Sequence, residues 1–194
     1  MSSADRDGQI SPDGEWSVDP SRSSVTFALK HMLMATVRGS FDDFEGTLAI
    51  ASGTGQAEGR VRAASIETGD SVRDEHLRSS PDFFDVERYP YIEFSSTRIE
   101  QLPDGSLRIV GALSMRGTTH EIELSARLEK RAREDAAGER MTLELHGELD
   151  RRDFGLSWNQ GLDAGGVLLG NKVKVALGIS AISSEAALAV PPAP

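Results

Sequence analysis

The chain has 194 residues, enough for one domain of ordinary size with a core of its own. It contains no cysteine, which excludes disulfides, thiolate metal sites, iron–sulfur clusters and a cysteine nucleophile. Its 31 acidic and 21 basic residues give a formal net charge of −10, the wrong sign for a surface that must neutralise nucleic-acid phosphates, so no nucleic-acid partner is expected.

Residues 1–14, rich in Ser, Asp and Gly, read as a disordered tail without an apolar run of signal-peptide length. Nowhere do roughly 18 apolar residues follow one another, so a cytoplasmic protein with no integral membrane insertion is expected. Val25, Phe27 and Leu29 then alternate with Thr26, Ala28 and Lys30, the period of a half-buried strand, and His31 keeps the parity of the apolar set. After Gly39 and Phe41 the alternation resumes at Phe44, Gly46, Leu48 and Ile50, and again at Val61 and Ala63.

The stretch RDEHLRSSPDFFDVERYP, Arg73 to Pro90, breaks this pattern. Ser71 as a cap for a backbone N–H, with Asp74 three residues on reaching back to it, fits a helix start, and Ser80-Pro81-Asp82 fits a second, so a short helical insertion is predicted at about residues 71–86. Successive helical side chains are turned by about 100°, so Asp74, Glu75 and His76 do not converge on one ion or substrate. No histidine has another three or four residues away, and neither a metal site nor a cofactor is expected. Phe83 and Phe84, with Leu77 beside them, fit either a plug over a barrel mouth or a small core beneath a loop.

The second half returns to alternation at Ile92 and Phe94, then at Leu107, Ile109, Gly111, Leu113 and Met115, then at Ile122, Leu124, Ala126 and Leu128. Met141, Leu143 and Leu145 follow, then Val173, Val175, Leu177 and Ile179. The charge-dense run from Arg127 to Arg140 reads as a solvated hairpin end, and residues 183–194 as a disordered Pro/Ala-rich tail. The pattern is all-β, about eight strands with one apolar face each, joined by short turns that make neighbours antiparallel. Such strands hide their apolar faces by closing into a barrel or stacking as a sandwich. A lining of aliphatic residues and glycines is compatible with an unfilled interior, and an eight-stranded barrel is wide enough to be filled or to hold one small ligand.

Four segments carry a resemblance to a known family. They are WSVDPSRSSVTFALKHM (Trp16 to Met32), VRGSFDDFEGTL (Val37 to Leu48), AASIETGDSVRDEHLRSSPDFFDVERYPYIEFSST (Ala63 to Thr97) and GALSMRGTTHEIEL (Gly111 to Leu124). Together, over residues 15–182, they resemble the YceI-like family of polyisoprenoid-binding proteins. The resemblance implies an eight-stranded antiparallel lipocalin-like β-barrel, with Arg73 to Pro90 as its helical insertion and an apolar lumen for a long isoprenoid chain. Family members are often exported, and the absence of an export signal here favours a cytoplasmic version.

On strand parity and resemblance, the candidate ligand-binding residues are Phe27, Leu29, His31, Phe41, Phe44, Phe83, Phe84, Phe94, Leu113, Met115 and Leu124. A polar head would want cations at the mouth, and Arg38, Arg73 and Arg116 stand beside turns or the insertion. The leading reading is a non-enzymatic carrier or store of a polyprenyl chain or isoprenoid quinone. One alternative is a filled barrel serving as an interaction module. Another is a small cavity enzyme using His31 or His120 as base, although neither a Gly-x-Ser-x-Gly nucleophile motif nor a phosphate loop is present. A homodimer is compatible with each reading.

Overall fold

A computed structural model describes residues 13–31, 35–52, 54–134, 138–159 and 169–183. The two terminal tails, apart from residues 13, 14 and 183, lie outside these. The first half holds β1 (Gly14–Val18), β2 (Ser24–His31), β3 (Ala35–Phe41), β4 (Phe44–Ala51), β5 (Thr54–Arg62) and the short β6 (Ile66–Glu67). Helix α1 (Ser71–Ser79) follows, then β7 (Tyr91–Gln101), β8 (Leu107–Met115), β9 (Thr118–Glu134), β10 (Gly138–Asp150) and β11 (Leu169–Ser183).

All strand pairs are antiparallel, and the ring β1-β4-β5-β7-β8-β9-β10-β11 closes where β1 meets β11, Trp16 standing opposite Ser183. The predicted eight-stranded barrel is therefore present, but the described residues hold eleven strand segments. The difference comes from two breaks. Pro20–Arg22 forms a 3-10 turn, capped by the Asp19 carboxylate accepting from the Ser21 N–H, that splits one strand line into β1 and β2. Both halves pair with β11, through Val18–Ala181 and Leu29–Val173. The return line is split at Asp42 and Asp43 into β3, which pairs with β2, and β4, which pairs with β1. Beyond the break β3 pairs with β6, whereas β4 pairs with β5, so the wall forks toward one end of the barrel.

Helix α1 and the turns that follow it bridge that fork. The helix is capped by Asp70, which accepts from the N–H groups of Val72 and Arg73, so Ser71 is its first residue and not its cap. Asp74 does not reach back to the cap as predicted. It is buried and accepts from the Thr68 N–H and hydroxyl at 3.0 and 2.5 Å, tying the helix to β6. Ser80 onward forms turns, with Phe83 N–H donating to Ser80 O and Phe84 N–H to Leu77 O, in place of a second helix. Arg78 adds bonds to Ala64 O and Ile66 O.

The main core fills the end opposite α1, where Trp16, Ile50, Ile99, Leu107, Met141 and Ala181 are all nearly or fully buried. Arg131, in the run read as solvated, lies over the Trp16 ring at 5.0 Å and binds Glu139, while Arg140 bonds Asp19 and Ser180. That hairpin end is thus partly folded back onto the closed end, because long arginine stems cover aromatic surface while their heads find acceptors. A smaller core of Leu113, Met115, Phe154 and Leu156 lies toward the α1 end. No helix among the described residues is long and apolar enough to cross a membrane.

Candidate ligand chamber

Between the packed end and α1 the barrel encloses a cavity of about 570 Å³. From β2 it receives Phe27, Leu29 and His31, and from the facing edge of β11 it receives Val173, Val175 and Leu177. Phe41 and Phe44 enter from either side of the β3–β4 break, Phe94 from β7, Leu113 and Met115 from β8, and Leu124 from β9. Phe83 and Phe84 come from the turns after α1, with Leu77 from the helix itself. Phe84 meets Phe41 edge-on at 5.8 Å, and Phe41 in turn lies 5.6 Å from Phe27, so an aromatic row runs from the insertion into the barrel wall.

Polar side chains gather at the α1 end. Arg73 borders the cavity and is held by Thr68, its Nε donating to the hydroxyl at 2.7 Å and an Nη to the carbonyl at 2.9 Å. Thr68 is itself fixed by Asp74. Burial pushes the Asp74 carboxyl up, but the bonds from Thr68, with Arg78 nearby, outweigh it and hold the group below the usual carboxylate range. His31 and His76 also border the cavity, and His76 begins a second aromatic row through Phe83, at 5.3 Å, to the half-exposed Trp158, 5.5 Å further.

Arg151 is a further cation at this end, nearly buried and bonded to the carbonyls of Gly170, Leu156 and Trp158 and to Asn171 Oδ1. Burial pushes its guanidinium below the ordinary arginine value, an effect Asp150 opposes. Among the described residues its hydrogen-bond acceptors are neutral carbonyls and not carboxylates.

Two predicted head-group cations stand elsewhere. Arg38 is exposed on the outer wall, because strand alternation turns Val37 and Gly39 inward and Arg38 out. It faces Ala28 across the strands and borders a separate shallow depression with Lys174. Arg116 sits in the β8–β9 turn with φ of 53° and straps the insertion down, donating to Gly155 O at 2.6 Å and to Pro81 O at 2.5 Å. Of the histidines named as candidate bases, His31 borders the cavity, whereas His120 lies edge-on to Phe154 outside it. Among the described residues no group of three or more His, Asp or Glu side chains is placed to hold a metal ion. Sequence reasoning passed over Thr68, Trp158 and Arg151, and dismissed His76. None lies on an alternating strand, so no periodicity marked them.

A closed eight-stranded antiparallel barrel around a chamber lined mainly by apolar side chains defines a small lipocalin-like barrel. The YceI-like domain model matches residues 16–181, and the chain belongs to the YceI-like family. A UPF0312 protein of Staphylococcus aureus is 32% identical over 161 residues, spanning 80% of this chain and 90% of its own. Burkholderia cenocepacia BcnA shares the fold, with a TM-score of 0.72 at 19% identity over 84% of this chain and 98% of its own. So does the Campylobacter jejuni YCEI protein, with a TM-score of 0.68 at 22% identity over 80% and 90%. A polyisoprenoid binding domain from Saccharophagus degradans matches with a TM-score of 0.61 at 15% identity over 87% and 98%.

Proposed function

We propose that this protein holds a long-chain isoprenoid lipid, a polyprenyl chain or an isoprenoid quinone, without altering it chemically. The chain occupies the chamber, against Phe27, Leu29, Phe41, Phe44, Phe94, Leu113, Met115 and Leu124. The head lies at the α1 end within reach of Arg73, Thr68, His76 and His31, and Phe83 and Phe84 cover the passage between them. The observation that carries this reading is a cavity of about 570 Å³ lined mainly by apolar side chains, with Arg73, Thr68, His76 and His31 at its α1 end. Membership of the YceI-like family supports it, as does the fold shared with the polyisoprenoid binding domain of Saccharophagus degradans. Each buried methylene contributes about 0.8 kcal/mol, so a few prenyl units offset the ordering cost of binding without any charge inside. The unfilled chamber speaks against a filled barrel that only contacts partners.

The test is mass spectrometry of an organic extract from protein purified without detergent, beside a denatured and refolded control. A stoichiometric prenyl lipid in the native sample alone is the expected result. An empty extract, together with failure of the protein to take up ubiquinone, would overturn the reading.

A further inference from the structure

The wall glycines fall into two groups, and one residue stands apart. Gly39 and Gly111 lie beneath the rings of Phe27 and Phe94, so a Cβ there would sit 2.4 and 2.5 Å from a ring carbon. At Gly147 a Cβ would meet the Leu124 side chain at 2.5 Å, and at Gly55 and Gly46 it would collide with the neighbouring strand's carbonyl oxygens at 1.9 and 2.8 Å. Each of these glycines is required by something that packs onto it. Gly59 is different. A Cβ there would meet nothing nearer than Glu45 O at 3.8 Å, and its φ lies outside the left-handed range.

A glycine in a strand interior weakens the strand and usually marks close approach by something else. Among the described residues no atom beyond its own chain neighbours comes nearer than 3.8 Å to the Cβ position at Gly59. Gly59 lines the chamber from β5, opposite Gly46 on β4 and Phe94 on β7, so two adjacent strands present bare backbone at the same level. The position is in the side wall, not at either end, and therefore governs the width available to a chain and not its length.

We infer that Gly59 is the specificity-determining residue that widens the chamber for a methyl-branched chain in preference to a linear one. This rests on the lipid-binding reading above. A linear alkyl chain of equal carbon number leaves the space beside Gly59 empty, whereas a branch methyl fills it.

The experiment compares retention of a branched prenyl alcohol and a linear alcohol of the same carbon number by the full chain and by Gly59→Leu and Gly59→Ala, with thermal unfolding as the check on folding. The unaltered protein favours the prenyl alcohol. Gly59→Leu lowers that preference by about tenfold, the worth of about two methylene contacts, and Gly59→Ala lowers it less in the same direction. If Gly59→Leu does not fold, Gly59→Ala decides, since its Cβ makes only ordinary contact. A preference left unchanged in a folded variant overturns the role of Gly59 and leaves the lipid-binding reading standing. Retention of neither alcohol by the unaltered protein overturns both.

Discussion

The two ends of this barrel are made by the same strands and have opposite properties. At the closed end the inward positions carry large side chains that meet across the axis, and Trp16, Leu107 and Met141 are at most 1% exposed. Between that end and α1 the same alternation brings in Gly46 and Gly59 beside half-buried Phe27 and Leu29, and a chamber remains. Fold and cavity thus depend on one pattern, with residue size along each strand deciding which results. Stability is concentrated where the interior is filled, and binding capacity where it is not.

Substitutions at the two ends should therefore separate folding from ligand retention. The largest effect is expected from Trp16→Ala. It removes a fully buried ring and the Arg131 stacking contact, and should destabilise the protein by about 3–5 kcal/mol. Phe27→Asp at the chamber should instead abolish lipid retention while costing less stability, since Phe27 already borders open space. Denaturant unfolding of both variants beside lipid extraction checks the contrast, and equal loss of fold and lipid in Phe27→Asp would remove it.

Asp74 tests whether the mouth's polar frame is built or incidental. Asp74→Ala leaves the Thr68 N–H and hydroxyl without their acceptor and should cost about 1–3 kcal/mol. The pH dependence follows from the same group. Its folded pKa lies below the ordinary 3.8, so its contribution is present above that value and fades as pH falls through the folded value. Asp150, held by Arg152 at about 2, behaves likewise. Acid titration of stability should lose less in Asp74→Ala than in the unaltered protein, and identical acid profiles would assign the buried carboxylate no role.

The closed barrel was legible because β2, β4 and β8 to β11 carry large apolar residues at most alternate positions. Strand β5 was only half visible. Its inward residues Gly55, Ala57 and Gly59 are too small to make a hydrophobic period, and only Val61 announced it. The smallness that hides β5 in the sequence is also what leaves the wall bare at the chamber. Strand β3 was obscured in the same way by Gly39, whose missing side chain makes room for the Phe27 ring. The parity of Phe27, Phe94 and Leu113 placed them at the cavity because strands impose it. Arg38 and Arg116 do not line the cavity, because proximity to a turn does not say which face a side chain takes. Thr68, His76, Trp158 and Arg151 come together only through α1 and the 3-10 turn at Arg151–Phe154. No local pattern encodes that meeting.

The smallest effect on stability, and the most specific on binding, is expected from Arg73→Gln. The Arg73 side chain is 42% exposed and 4.0 Å from Asp70, so its ion pair contributes little to folding, at most about 0.5 kcal/mol. Its bonds to Thr68 use Nε and one N–H of Nη2 and Nη1 lies 4.0 Å from Asp70, so among the described residues the other N–H groups of the fork, which borders the chamber, make no hydrogen bond. A head bearing carbonyl or phosphate oxygens would accept from them, and charge-assisted bonds of this kind are worth about 1.5–3 kcal/mol. Affinity for a quinone or prenyl phosphate should therefore fall at least about tenfold in Arg73→Gln, while affinity for a prenyl hydrocarbon without a head stays unchanged. A parallel loss for both ligands would mean that Arg73 shapes the mouth without touching the head, and the polar end of the chamber would then have to be assigned to His31, His76 and Thr68.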